Sequence, residues 1–137
     1  MALDEKTIKM AKGPNYAALT TLFKDGSPQT HTMWVDTDGE HILINTEIHR
    51  VKYKNIKNDP RVSVMIWKHD DPFKFGEIRG KVIGEITGED AEKNIQSLSD
   101  KYFGKPYPFT IQTERIVLKI LAEREFFFNI KDEDFDN

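Results

Sequence analysis

The chain has 137 residues, 38% of them hydrophobic and 31% charged, with a formal net charge of −3 and no cysteine. That length suits one domain over residues 1–137 with a real hydrophobic core, and the missing thiols exclude a disulfide framework or thiolate metal site. Neither a ~20-residue apolar run nor a signal-peptide core is visible, and the acidic balance disfavours nucleic acid, so a cytoplasmic protein with neither membrane nor nucleic-acid partner is expected.

In chain order, Asp4 to Lys12 predicts a short helix with Leu3, Ile8 and Ala11 on its apolar side, stopped by Gly13-Pro14. Tyr16 to Phe23 is rich in β-formers, and Lys24-Asp25-Gly26-Ser27 is a turn signal before a return strand from Thr30 to Val35. After Asp36-Thr37-Asp38-Gly39 a third strand, His41 to Asn45, completes an expected meander. Thr46 to Asp59 is too long for a hairpin and predicts a helix. Arg61 to Lys68 alternates as a strand, with Val62, Val64 and Ile66 on one face, until Asp70-Asp71-Pro72 breaks it. Phe75 to Ile86 reads as a long fifth strand whose Gly76, Gly80 and Gly84 suggest bends or close backbone approach.

Thr87-x-x-Asp90 has capping-motif spacing, and Ala91, Ile95, Leu98 and Tyr102 place a helix over Glu89 to Phe103 with Gly104 as its stop. Lys105-Pro106-Tyr107-Pro108 is a stiff loop. Arg115 to Ala122 and Arg124 to Ile130 predict a sixth and a seventh strand, and the acidic tail, residues 131–137, a frayed end. The pattern is mainly β with short helices. A six- to seven-stranded antiparallel barrel answers it, because closure protects strand edges.

Chemistry concentrates between Ile44 and Met65. A strand ends at Asn45-Thr46, Arg50-x-Lys52-x-x-Asn55 follows, and Asp59-Pro60-Arg61 launches the next strand. Cations and helix N-terminal amides gathered on one connection suit a phosphate. The alternative is a solvated helix face, the reading kept for Lys54 and Lys57. Trp34 and Trp67 are candidates for core packing, Trp34 also for a ligand wall. His31, His41, His49 and His69 lack metal-ligand spacing, so no metal site is expected.

Several segments together, ALTTLFKDGSPQTHTMWVD, the strand end INT, RVKYKNIKNDPRVSV and EIRGKVIGEIT, resemble the FMN-binding split-barrel superfamily of pyridoxamine 5′-phosphate oxidase-like proteins. The likeness runs from Tyr16 to Ala122 and is strongest to short members using FMN or coenzyme F420. It implies a split barrel with the cofactor phosphate on Arg50 and Lys52, and Asn55 as the matching polar residue. It also implies that Asn45 and Thr46 approach phosphate and ring, and that Pro28, Gln29, Thr32, Met33 and Trp34 line the ring pocket. Phe73 to Phe75 match a strand that reaches the cofactor from the partner of a homodimer. Pyridoxamine phosphate oxidases proper carry Arg-x-x-Leu-Leu-Lys on the second strand and a C-terminal Arg-x-His clamp. Here those regions read Thr30-His31-Thr32-Met33-Trp34-Val35 and Glu123-Arg124-Glu125-Phe126-Phe127-Phe128, so that activity is not expected.

The function this implies is an FMN- or F420-dependent oxidoreductase passing hydride to or from a small-molecule substrate. The cofactor carries the reactive centre, so no catalytic acid, base or nucleophile is assigned. The alternatives are a non-catalytic flavin or haem binding or storage protein on the same barrel, and a nucleic-acid-binding barrel using Arg50 to Lys57.

Overall fold

The computed structural model describes residues 3–135. Helix α1 (Glu5–Lys12) starts at Asp4, whose carboxylate accepts from the Lys6 amide at 2.8 Å, and stops at Gly13. It buries Thr7, Met10 and Ala11. Strands β1 (Tyr16–Leu22) and β2 (Pro28–Met33) form the expected hairpin across Lys24–Ser27.

The meander ends there. After the two-residue β3 (Asp36–Thr37), strand β4 (Ile42–Glu47) pairs with the last strand rather than with β2. All six β4 residues are buried, and the strand lies inside the sheet between β7 and β3, whereas the largely exposed β2 stays at its edge. The chain continues through α2 (Val51–Asn58), β5 (Arg61–Lys68), β6 (Asp71–Ile86), α3 (Glu89–Phe103) and β7 (Arg115–Phe128).

Strand order is β2-β1-β5-β6-β7-β4-β3, every pair antiparallel. The two ends, β2 and β3, do not pair with each other. The sheet stays open there, the arrangement of a split barrel. Ala17, Leu19, Val35, Ile42, Ile44, Val64, Ile66, Ile78, Leu118 and Ile120 are at most 1% exposed and fill the interior. Each large apolar side chain so buried contributes roughly 1.5–3 kcal/mol before entropy is counted. A second cluster of Leu43, Ala91 and Val117 seats α3 against β4 and β7, and this places the helix beside the site.

Four local expectations are corrected. Asp70-Asp71-Pro72 does not separate strands widely; Asp71 already begins the 16-residue β6 and accepts from the Phe73 amide at 3.0 Å. The sixth and seventh strands are one 14-residue strand, β7, because a bulge at Glu123 absorbs the irregularity without ending the pairing. Thr87 does not cap α3: Gly88 holds the N-cap at φ 67°, a left-handed backbone open to glycine, with no side-chain cap bond. The described part of the acidic tail, residues 131–135, is docked, not frayed. Lys68 donates to the Asp134 carbonyl at 2.9 Å, Lys74 pairs with its carboxylate, and Asp132–Phe135 forms a 3-10 turn. Met1, Ala2, Asp136 and Asn137, included in the expected N-terminal and tail segments, lie outside the described residues.

The expected close approach is realised at Gly80, where a Cβ would lie 1.8 Å from the Leu121 carbonyl oxygen. No helix among the described residues is long and apolar enough to cross a membrane.

Candidate functional site

Beside the open edge of the sheet lies a cleft of about 580 Å³. Strand β2 and the residue after it supply Thr30 to Trp34, and β4 supplies Asn45 and Thr46. The α2 start supplies Arg50 and Lys52, α3 supplies Ile95 and Leu98, and the α3–β7 connection supplies Tyr107 and Phe109. Arg115, the first residue of β7, closes the polar end.

Three cations meet at that end. Arg115 is 7% exposed and held on several sides: Nη1 donates to Asn45 Oδ1 at 3.3 Å, Nη2 to the Tyr107 hydroxyl at 2.6 Å, and Nη2 lies 3.4 Å from Glu47. The register makes this possible, because Glu47 on β4 stands opposite Arg115 on β7. Burial opposes a charge on Glu47, yet Thr113, Arg115 and Gln112 outweigh it and hold its carboxyl below the ordinary 4.5. Arg50 and Lys52 differ. Neither makes a salt bridge among the described residues, and α2 starts with no acid in its first turn and no side-chain cap. Lys52 is buried; burial, then Arg50 and Arg115, push its pKa down. Among the described residues this end thus holds two cations without a carboxylate partner, Lys52 buried and Arg50 exposed.

The opposite wall is aromatic. Trp34 lies flat on Tyr102, centroids 5.0 Å apart and planes 6° from parallel, with Phe103 at its edge. The Tyr102 hydroxyl accepts from the Val35 amide and donates to the Asn15 carbonyl, and burial pushes its pKa up. Lys101 donates to the Ala11 and Val35 carbonyls at 2.9 and 2.6 Å; burial pushes its pKa down to about 8, with Asp36 opposing and Lys12 reinforcing the shift. These two α3 residues thus clamp the chain on which Trp34 is carried.

Of the residues singled out by sequence, Thr32, Met33, Trp34, Asn45, Thr46, Arg50 and Lys52 come together in the cleft. Three do not. Asn55 is buried on another side of α2, where its amide donates to Thr21 Oγ1 at 3.0 Å and ties the helix to β1. Gln29 stands opposite Thr21 in the hairpin, outside the cleft lining. Phe75 stacks on Phe128 at 5.4 Å, on the β6–β7 pair. Lys57 pairs with Glu85 at 2.8 Å and Lys54 lines a separate groove, so the basic residues of α2 diverge rather than form one stripe. His31 lines the cleft, while Arg61 pairs with Asp59 at 2.7 Å. Arg115, Tyr107 and Phe109 were missed. A buried acid at Glu47, in a strand otherwise apolar or neutral, is the one signal that pointed to an unseen cation.

Comparison with known proteins bears on the family and the fold. The sequence profile described as pyridoxamine 5′-phosphate oxidase matches residues 3–127. The chain belongs to the pyridoxamine 5′-phosphate oxidase family. Among solved structures, an F420 reductase is 27% identical with a TM-score of 0.78, the match covering 90% of this chain and 98% of the other. General Stress Protein 26 from Bacillus anthracis is 19% identical with a TM-score of 0.65, covering 92% of each chain. Group A Streptococcus HupZ is 12% identical with a TM-score of 0.63, covering 91% of this chain and 94% of the other. The last two share the fold of the pyridoxamine 5′-phosphate oxidase family.

Proposed function

We propose that the cleft binds the phosphate-bearing cofactor FMN or coenzyme F420, and that the protein transfers hydride between that cofactor and a small organic molecule. The observation that carries this reading is the pair Arg50 and Lys52, left without a carboxylate among the described residues at one end of a cleft whose other wall is aromatic. The residues suit such a group. One end offers cations and the Thr46 hydroxyl to a phosphate; Met33, Trp34, Ile95 and Leu98 offer a flat apolar surface to a ring. The volume, about 580 Å³, is within the ordinary range for cofactor pockets.

When bound, the flavin or deazaflavin ring supplies the hydride chemistry. The chain's own contribution is to anchor, orient and dry the site. Arg50 and Lys52 hold the phosphate by charge-assisted bonds. Asn45 is fixed by bonds to the Ala91 carbonyl and Asn94, so the floor of the cleft is rigid. Asn55 acts at one remove, by setting α2 against β1. Likeness to the F420 reductase favours the deazaflavin cofactor.

The same reading includes a homodimer in which the Phe73–Phe75 segment of one copy approaches the cleft of the other. Phe73, Phe126 and Phe128 are 72%, 44% and 56% exposed, an apolar surface that suits such a contact.

The test is a visible absorbance spectrum after the protein is mixed with F420 or FMN and excess is removed by filtration. A retained band, stronger with F420, is expected. A protein colourless after both would overturn the reading, and a bound cofactor that no donor or acceptor ever reduces or oxidises would leave binding without catalysis.

A further inference from the structure

The aromatic wall and the cationic end sit on different strands, and one helix holds both. Trp34 and Val35 lie between β2 and β3 and belong to neither strand. They are held from α3: Lys101 donates to the Val35 carbonyl at 2.6 Å, and the Tyr102 hydroxyl accepts from the Val35 amide at 3.1 Å. Two turns earlier on the same face of α3, Asn94 reaches the next residue of that segment, its Nδ2 donating to Asp36 Oδ2 at 3.2 Å.

Asn94 also reaches the other end. Its Oδ1 accepts from Asn45 Nδ2 at 3.0 Å, and Asn45 Oδ1 accepts from Arg115 Nη1 at 3.3 Å. Neither amide can be turned round. The Ala91 carbonyl, 2.8 Å from Asn45 Nδ2, only accepts and the guanidinium only donates, which fixes Asn45. The Asp36 carboxylate only accepts, so Asn94 must donate to it and accept from Asn45. The bonds therefore run in one direction, from Arg115 in the cleft through Asn45 and Asn94 to Asp36. That carboxylate is steadied in turn by Lys12 at 3.4 Å.

We infer that Asn94 sets the distance between the cationic end and the aromatic wall, and is a positioning residue for ligands that carry an anion and a ring in one molecule. It does not itself line the cleft; it acts through Asn45 at one end and through the segment carrying Trp34 at the other. A ligand with only one of the two groups uses one end and does not sense the spacing. A ligand with both gains the second contact at little further loss of freedom, provided the two ends stand the right distance apart. That this ligand is FMN or F420 rests on the function proposed above; the bridge between the ends does not.

The test compares FMN with its two parts, riboflavin and inorganic phosphate, titrated into nitrogen-labelled wild type and Asn94→Leu. The substitution is close in size and removes both bonds. FMN affinity falls about three- to tenfold, the span of one ordinary hydrogen bond, while riboflavin and phosphate keep their wild-type affinities. Asp36→Leu cuts the bridge one link further on and gives the same result, so the test survives if Asn94→Leu does not fold. Asp36→Asn keeps an acceptor facing Asn94, and there the lead of FMN over riboflavin does not fall. An unchanged FMN affinity in both leucine variants, or an equal loss for FMN and for either part, overturns the inference. A second measurement needs no ligand: the Trp34 indole and Arg115 side-chain N–H resonances both move in the leucine variants, and either one staying fixed also overturns it. A wild type that retains neither FMN nor F420 but shows both resonances moving would remove the oxidoreductase reading alone.

Discussion

Lys52 and Lys57 are five positions apart on the same short connection, yet they serve opposite expectations. Lys52 is buried among cations and makes no salt bridge among the described residues, whereas Lys57 reaches Glu85 on the far side of α2. Lys52→Ala is expected to weaken F420 or FMN binding by about 1.5–3 kcal/mol, the range for a hydrogen bond to a charged group, read by absorbance or fluorescence titration. Lys57→Ala should leave that affinity unchanged. Glu47 makes a prediction about pH. Its folded pKa is depressed, so the stability it contributes is present above the ordinary 4.5 and is lost as pH falls through and below that value. The stability gap between wild type and Glu47→Gln, from urea unfolding, should therefore be widest near neutral pH and shrink toward pH ~3. The cationic end of the cleft was legible because Arg50 and Lys52 are neighbours in sequence. Arg115 and Tyr107 were not, because only the β4–β7 register carries them across to Asn45 and Glu47.

Elements with strong local signals came through from sequence to structure. Helix α3 spans Glu89–Phe103 with Ala91, Ile95 and Leu98 buried as its spacing requires, and β5 buries Val62, Val64 and Ile66 on one face. What failed were junctions, where a tertiary partner outvotes local preference. Thr87 had the right spacing for a cap, but the turn left β6 through a positive φ that placed Gly88 there. Irregularity near Glu123 read as a break and is a bulge, because β6 continues alongside. Gly80 lies at that bulge. Gly80→Ala drives a methyl into the Leu121 carbonyl and is expected to cost about 1–3 kcal/mol or more, as overpacking does, seen as a lower urea midpoint. Asn55→Ala removes the buried link from α2 to Thr21 and should cost about 1–3 kcal/mol of stability.

For the molecule as a whole, the sheet class was readable from alternation and turn signals, while its strand order was not. A meander is the economical reading when three strands follow one another closely. The buried, two-faced β4 overrides it only once β7 exists to receive it. The exposed phenylalanines make the prediction at this scale. Sedimentation should give a dimer, and replacing Phe73 and Phe128 together with Glu should give a folded monomer; a wild-type monomer would remove the proposed dimer.

Strand β7 has a consequence for how the protein is made. It is the hydrogen-bonded partner of both β6 and β4, and of the seven strands described it is made last. Until residues 115–120 emerge, Ile42, Leu43 and Ile44 have no strand to pair with on that side, although they were synthesised far earlier. For that interval the nascent chain carries an open apolar edge, the kind that invites a chaperone or another nascent chain. Translation pausing after β4 should therefore harm yield more than pausing after β7.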